Sequence, residues 1–275
     1  MKNKTALRLT EGAVMIALAT VLSMIKLAEF PYGGSITAAS MFPIAVIAYR
    51  HGTLFGLSCG LVYGGIQQLL GLNNLSYFTS WQSILAIILL DYIVAFAAIG
   101  LAGIFRKISL KGASAGTLGV LLACSLRYLC HVVSGCTVWA GLSIPDSAAL
   151  GYSLAYNATY MIPETLITAI AAWYLFSVID FASPKLKRAA VSKTDSLPAP
   201  ARNCFRASLL FGVIGVCYAI IRIFPLLQDE GGNFDFSGIQ NLETASFFAV
   251  IAVFAAAVIG LYTAGILLKN KKVKN

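Results

Sequence analysis

Apolar residues dominate eight stretches of this chain, and most of them are long enough to form a helix across a lipid bilayer, for which about 20 mostly apolar residues suffice. The stretches cover residues 11–28, 35–50, 53–71, 80–105, 113–141, 147–180, 205–227 and 243–268. The sixth is long enough to include an interfacial turn. The pattern therefore predicts an all-α integral membrane protein with eight spans.

Composition supports this fold class. Of the 275 residues, 59% are hydrophobic and only 11% are charged. The mean hydropathy of +0.82 exceeds what a soluble protein of this size needs for its core. A polytopic membrane protein is the class that fits.

Basic residues predict the orientation, because short loops rich in Lys and Arg stay in the cytoplasm. They are concentrated ahead of the first span, in alternate loops at 50, 106–111 and 185–206, and in the tail at 269–274. The remaining loops are mostly neutral or acidic. Both termini are thus predicted on the cytoplasmic side of the membrane. Topology and anionic inner-leaflet lipid explain the net charge of +9, so a nucleic-acid partner is not needed.

A linker rich in Pro, Ser, Thr and basic residues divides the spans into six and two. The predicted organisation is a six-helix core at 1–182, a cytoplasmic linker at 183–204, and a two-helix membrane extension with a basic tail at 205–275. In this extension Arg222 is expected to reach the lipid surface or to pair with the acidic loop that follows it. The pattern does not choose between packing, partner-docking and regulatory roles for these last two spans.

Span 5 carries a polar stripe inside its apolar sequence. Arg127, His131, Gly135 and Trp139 recur every four residues, so they share one helix face. Hydrocarbon cannot solvate a guanidinium or hydrogen-bond an imidazole, so these side chains must face protein or a water-filled cavity. Such residues mark a substrate or ion path by default.

Counting along the predicted spans brings further polar and aromatic residues to a similar depth. At 1.5 Å per residue, Asp91 and His131 lie roughly 15 Å below the outer ends of their helices. The set in the outer half of the bundle is Trp81, Asp91, His131, Trp139, Tyr152 and Asn157. A carboxylate, an imidazole, an amide, a phenol and two indoles predict a pocket for a small, flat, polar and cationic ligand entering from outside.

Each of these residues also has a structural interpretation. The aromatic residues near span ends are typical of interfacial belts. His131 could pair with Asp91, and Arg127 could neutralise Glu164. Asn157 could form only an interhelical hydrogen bond. These interpretations explain the residues singly but not their shared depth, which favours a binding site.

Missing motifs narrow the function classes. The chain has no Walker Gly-Lys-Ser/Thr loop, no HExxH and no GxSxG. An enzyme is disfavoured because no nucleophile or second metal ligand accompanies His131 and Glu164. A proton-coupled secondary transporter that uses Asp91, His131 and Glu164 remains an alternative.

Four segments resemble the ThiT family, the thiamine-binding S components of energy-coupling factor transporters. They are Tyr32-Gly-Gly-Ser-Ile, Leu90-Asp-Tyr-Ile-Val-Ala-Phe, residues 127–139 with a His-x3-Gly-x3-Trp spacing, and residues 152–164 with Tyr-x4-Asn. The resemblance covers about residues 5–182. It implies a six-helix, high-affinity thiamine receptor of a bacterial inner membrane that has no cofactor or catalytic step of its own. It also implies that a membrane T component and two cytoplasmic ATPases, which consume ATP, drive the import.

The resemblance also assigns residue roles. The implied ligand residues are His131, Trp139, Tyr152, Asn157, Tyr92 and the carboxylate before it, with Gly135 leaving room for the ligand. On the first helix, the small-residue stripe that docks on the T component corresponds to Ala13 and Ala17. Taken alone, this spacing predicts only close helix packing.

Three positions depart from the family pattern. Asp91 stands where Glu is usual, which retracts the carboxylate by about 1.5 Å and predicts a water bridge or a weaker fit. Trp81 stands where Tyr is expected, and Phe30 and Tyr32 stand where a Trp is often found. An S component for another vitamin or for a thiamine precursor is therefore the nearest alternative.

Overall fold

The structure, a computed structural model, describes residues 2–30, 33–107, 112–139, 149–189, 198–223, 226 and 237–271. The chain divides into two compact units, Met1–Ala189 and Ala190–Asn275. Among the described residues, six helices are long and apolar enough to cross a membrane. The predicted all-α membrane fold is confirmed.

The first unit is built from helices and short strands in the order α1, β1, β2, α2 to α6, β3 and β4. The helices are α1 (Lys2–Met24), α2 (Phe42–His51), α3 (Thr53–Leu70), α4 (81–107), α5 (Gly112–Thr137) and α6 (Ala149–Val178). A 3-10 helix, Leu72–Tyr77, joins α3 to α4. The hairpin strands are β1 (Lys26–Glu29) with β2 (Ser35–Thr37), and β3 (Ile179–Asp180) with β4 (Lys187–Arg188).

The prediction that residues 35–50 form a second membrane-spanning helix is wrong. The first of these residues form strand β2, and α2 has only 10 residues, about half of what a bilayer requires. Eight consecutive residues of α2, from Pro43 to Arg50, are buried inside the first unit. The apolar sequence of this segment therefore reflects burial against protein on all sides rather than contact with lipid.

A glycine seam brings α3 into direct contact with the backbone of α4. A methyl group at Gly60 would lie 2.6 Å from the carbonyl oxygen of Phe96, and one at Gly64 would lie 2.7 Å from that of Tyr92. Helix α4 is π-helical over Ile88–Val94 and 3-10 over Ala98–Lys107. Single π turns inside helices occur often at functional sites, and this one carries Asp91.

A buried arginine ties distant parts of the first unit together. The Arg50 side chain, only 7% exposed, forms two hydrogen bonds with the Glu11 carboxylate, at 2.6 and 2.8 Å. Its remaining donors reach the carbonyl oxygens of Phe181, Ser183 and Pro184 at 2.6 to 3.1 Å. Helix α1, helix α2 and the β3–β4 segment are thereby joined through one guanidinium.

The second unit contains α7 (Ala199–Ile223) and α8 (Thr244–Lys271). A 3-10 helix, Ser237–Asn241, precedes α8. The two helices pack through aromatic rings, such as Phe205 on Tyr262 with ring centroids 5.4 Å apart. Arg222 lies 3.8 Å from Glu243 in an exposed pair, which confirms the expectation that it pairs with the acidic segment after it.

Candidate functional site

The first unit encloses a cavity of about 610 Å³, within the range of small-molecule sites. Its walls come from α1, the β1–β2 hairpin, α3, the 3-10 helix, α4, α5 and α6. Of the predicted ligand residues, those that line it are Asp91, Tyr92, His131, Gly135, Trp139 and Asn157. The structure therefore brings most of the predicted site together in one place.

Asp91 is the centre of the polar network. Its Oδ1 lies 2.9 Å from Nδ1 of His131. Its Oδ2 accepts hydrogen bonds from the Ser134 hydroxyl at 2.7 Å and from the Trp139 indole N–H at 3.2 Å. Since its carboxylate is only 14% exposed, these three contacts supply the partners that a buried charge requires.

His131 presents its second nitrogen without a protein partner. Nδ1 is engaged by Asp91, whereas Nε2 is buried and has no hydrogen-bond partner. A neutral imidazole ring that donates from Nδ1 to a carboxylate keeps a lone pair on Nε2. Because His131 lines the cavity, this unpaired atom is suited to a ligand's hydrogen-bond donor.

The Trp139 side chain is 8% exposed and packs in an aromatic cluster. Its ring meets Phe78 edge-on at 4.7 Å and lies 5.9 Å from the ring of Tyr77. Trp139 thus has a fixed orientation beside Asp91, and an aromatic surface next to a carboxylate is suited to a flat cationic ligand.

The Arg127 guanidinium also lines the cavity, and neighbouring protein groups satisfy only some of its hydrogen-bond donors. Arg127 lies 4.3 Å from the Phe96 ring centroid and contacts the Met41 sulfur at 3.2 Å, while its Nε has no hydrogen-bond partner. The ion pair with Glu164 that the sequence suggested is not formed. Besides the Lys26–Glu29 ion pair, two carboxylates, Asp91 and Glu164, and this guanidinium line the described cavity, so its net formal charge favours a cation.

Asn157 has the structural bonds expected of an interhelical residue. Its amide nitrogen donates to the carbonyl oxygens of Ser153 at 2.9 Å and His131 at 3.2 Å. Its side-chain oxygen accepts from the Tyr160 hydroxyl at 2.5 Å. Asn157 therefore links α5 to α6 at the cavity wall and holds the backbone of His131 in place.

Gly135 marks the closest approach of α5 to α6. A methyl group at this position would lie 2.1 Å from the Ser153 hydroxyl and 3.2 Å from the Asn157 amide nitrogen. Gly135 therefore allows the two helices to approach, in addition to leaving room in the cavity.

We expect Gly135→Ala to separate α5 from α6 and to destabilise the first unit by about 1–3 kcal/mol, the usual cost of overpacking. Thermal unfolding of the purified protein measures this loss. Gly151→Ala, at a glycine on α6 with open space around it, is the matched control and should unfold at the same temperature as the unmodified protein or slightly above it, because alanine favours a helix over glycine. Equal unfolding temperatures for both variants would contradict the proposed role of Gly135.

Two predicted ligand residues do not line the cavity. Trp81 begins α4 and is 69% exposed, as an interfacial residue would be. Tyr152 is half-buried and packs on the cluster that contains Trp139 and Phe78. Tyr32, in the predicted outer loop, lies outside the described residues.

Several residues that line the cavity or contact its lining residues were not predicted as parts of the site. Ser134 donates to Asp91, and Asn74 donates to the Tyr92 hydroxyl at 2.9 Å. Tyr160 and Glu164 follow Asn157 on α6 and also line the cavity. The heptad-like spacing of Asn157, Tyr160 and Glu164 is the signal that locates the last two, since it places all three on one helix face.

The small residues Ala13 and Ala17 of α1 are exposed. They lie on an apolar outer face with Val14, Leu18 and Val21, each 45–60% exposed. This face is available to lipid or to a membrane partner.

Comparisons with known proteins agree on one family. The family model for the thiamine transporter protein (Thia_YuaJ) matches residues 9–182. The chain is similar to the thiamine transporter ThiT of Bacillus subtilis, with 38% identity over 64% of this chain and 93% of that protein. It is also similar to ThiT of Lacticaseibacillus paracasei, with 25% identity over 64% and 90% of the two chains.

A solved structure of ThiT from Listeria monocytogenes is similar in fold. It covers 63% of this chain and 94% of its own, at 25% identity and a TM-score of 0.52. The matched region contains the cavity, whereas the second unit lies beyond the family match.

Proposed function

The chain belongs to the thiamine transporter protein family, whose members are transporters rather than enzymes, and on this premise we propose that it binds thiamine as the S component of an energy-coupling factor importer. It is a multi-pass membrane protein. In this proposal both termini are cytoplasmic and thiamine enters from the extracellular side. The observation that carries the proposal is the Asp91, His131 and Trp139 cluster on the cavity wall.

The chemistry of thiamine matches this cluster. Thiamine joins a permanently cationic thiazolium to an aminopyrimidine. The Asp91 carboxylate supplies the opposite charge in a buried setting, where electrostatic attraction is strong. The Trp139 ring offers a stacking surface, and Nε2 of His131 accepts a hydrogen bond from the exocyclic amine.

Asp91 is one methylene shorter than the usual glutamate. The three protein groups around Asp91 hold its oxygens at the wall. In the proposed complex, His131 therefore bridges the carboxylate and the ligand. Ser134 stabilises this arrangement without touching thiamine.

Competition binding tests the identity of the ligand. Thiamine should displace labelled thiamine at submicromolar concentration, and the isolated aminopyrimidine alcohol should compete only weakly, because it lacks the cationic ring. Strong competition by the aminopyrimidine alone would instead support a receptor for a thiamine precursor. A lack of thiamine binding together with binding of another vitamin would replace the proposed substrate.

The energy source is the second part of the proposal. The chain has no nucleotide-binding loop, so transport would depend on ATP hydrolysis by two partner ATPases that act through a T component. Uptake in cells should stop when ATP is depleted and persist when an uncoupler collapses the proton gradient. The reverse pattern would support the proton-coupled alternative that uses Asp91, His131 and Glu164.

Ala13 and Ala17 are the proposed docking residues for the T component, since small residues let helices approach closely. We expect Ala13→Trp and Ala17→Trp to lower thiamine uptake at least tenfold while thiamine affinity stays within twofold. Leu267→Trp, at an exposed apolar position of α8, is the control for general effects of a bulky lipid-facing residue. Normal uptake by both α1 variants would remove this face from the docking site.

A further inference from the structure

The β1–β2 hairpin forms one wall of the cavity, with Phe30, Gly34 and Thr37 among the lining residues. Two short strands alone are only marginally stable in water. The hairpin also contains a register shift between Lys26 and Ala28. Its position as a wall must therefore come from contacts with the rest of the first unit.

The first anchor is a buried carboxylate on α6. Glu164 is 1% exposed, and its Oε2 accepts a hydrogen bond from the Thr37 backbone N–H at 2.5 Å. Its Oε1 accepts from the Thr37 hydroxyl at 2.6 Å. These bonds join residues 127 positions apart, and hydrogen bonds to a charged group are the strong ones.

The second anchor is the Tyr160 ring, one turn before Glu164. A methyl group at Gly34 would lie 2.8 Å from this ring, so the hairpin backbone rests directly on it. The ring of Phe30 lies 6.1 Å from the same ring. Tyr160 also contacts the proposed ligand residues, with its hydroxyl on Asn157 and its ring 6.0 Å from that of His131.

One face of α6 thus touches the hairpin at two points and the proposed ligand residues at two points. An unpaired buried carboxylate is strongly destabilising, so the bonds from Thr37 to Glu164 are favoured, and they keep the hairpin in this position. An apolar side chain at 164 would pack in the same helix, but it could not hold the end of β2.

We propose that Glu164 is a positioning residue that fixes the β1–β2 hairpin as a wall of the cavity and thereby slows the escape of bound thiamine. The proposal rests on the proposed function for the identity of the ligand. Glu164 acts through Thr37, and the hairpin in turn contacts the cavity. The signature is kinetic: the dissociation rate of thiamine depends on the Glu164–Thr37 pair.

Stopped-flow measurement of thiamine dissociation tests the kinetic claim. Thr37→Val removes the hydroxyl donor while keeping side-chain size, and Glu164→Ala removes both acceptors. We expect dissociation about tenfold faster for Thr37→Val and faster still for Glu164→Ala, as expected for lost hydrogen bonds to a buried charged group. The conservative variant Thr37→Ser keeps both bonds and should stay within threefold of the unmodified protein.

The matched control is Thr168→Val, one helical turn beyond Glu164. Thr168 is fully buried, and its hydroxyl has no hydrogen-bond partner, so this variant alters the same helix without touching the hairpin. Its dissociation rate should be unchanged. Rates within twofold of the unmodified protein for both Thr37→Val and Glu164→Ala would overturn the proposal, as would an equal acceleration by Thr168→Val.

Hydrogen exchange without ligand tests the anchor independently of the substrate. Amides of residues 26–40 should exchange faster in Glu164→Ala, whereas amides of α5 should exchange as before. Unchanged exchange at 26–40 would refute the anchor even if thiamine binds. If the unmodified protein binds no thiamine but this exchange effect is present, the proposed substrate fails and the anchor stands.

Discussion

Thiamine affinity is expected to fall about 100-fold or more when Asp91 is replaced by alanine. The Asp91 carboxylate accepts hydrogen bonds from Ser134 and Trp139 and contacts His131. Its removal takes this acceptor away from three buried polar groups and removes the negative charge nearest the proposed cation. Truncating one member of a buried charged pair costs 2–5 kcal/mol or more in binding, and about 2.7 kcal/mol corresponds to 100-fold.

Isothermal titration with thiamine measures this loss. Asp180→Ala is the matched control, because Asp180 lies at β3 outside the cavity lining and makes a 3.8 Å contact with exposed Lys187. The thiamine affinity of the Asp180→Ala variant should stay within twofold of that of the unmodified protein. Asp91→Asn should also bind weakly, since an amide neither carries the charge nor accepts all three contacts. Unchanged affinity in Asp91→Ala and Asp91→Asn would place the ligand elsewhere.

Replacing Arg50 by alanine is expected to destabilise the first unit by about 3–5 kcal/mol, the usual cost of breaking a buried ion pair. The change leaves the Glu11 carboxylate and three carbonyl oxygens without this donor. Glu11 lies 12 residues before Ser23 of the cavity wall, or about 18 Å along α1. The substitution should therefore lower the free energy of unfolding and leave the thiamine affinity of the folded protein unchanged.

Thermal and denaturant unfolding in detergent measure the stability of this variant. Arg50→Lys keeps the charge but cannot reproduce the planar fork of donors, so its loss should be intermediate. Lys187→Ala, at a side chain that is 65% exposed, is the surface control and should change stability by less than about 1 kcal/mol. An Arg50→Ala protein as stable as this control would contradict the structural role of Arg50.

The sequence predicts the long helices well because their apolar runs approach or exceed the thickness of a bilayer. It predicts α2 poorly for a physical reason. The run at 35–50 is apolar because α2 is buried in protein, and hydrophobicity does not distinguish a lipid neighbour from a protein neighbour. The short strands β1 and β2 likewise depend on contacts with α6, which no local pattern shows.

The site is predicted where it lies on regular helices. The four-residue spacing of Arg127, His131, Gly135 and Trp139 predicts one helix face. The first three residues lie on α5, Trp139 lies two residues past the end of α5, and all four line the cavity. The Thr37–Glu164 pair joins residues 127 positions apart, and neither residue alone indicates the other. Trp81 has the residue type of a ligand contact, but its position at the exposed start of α4 is decided by tertiary packing.

Tryptophan fluorescence during a thiamine titration tests the central claim most directly. Of the three tryptophans, Trp139 is buried at the cavity, whereas Trp81 and Trp173 are 69% and 42% exposed. We expect saturable quenching at submicromolar thiamine. The quenching should be retained in the Trp81→Phe and Trp173→Phe variants and lost in the Trp139→Phe variant. Quenching that is absent from the folded, unmodified protein, or that persists in Trp139→Phe, would contradict thiamine binding in this cavity.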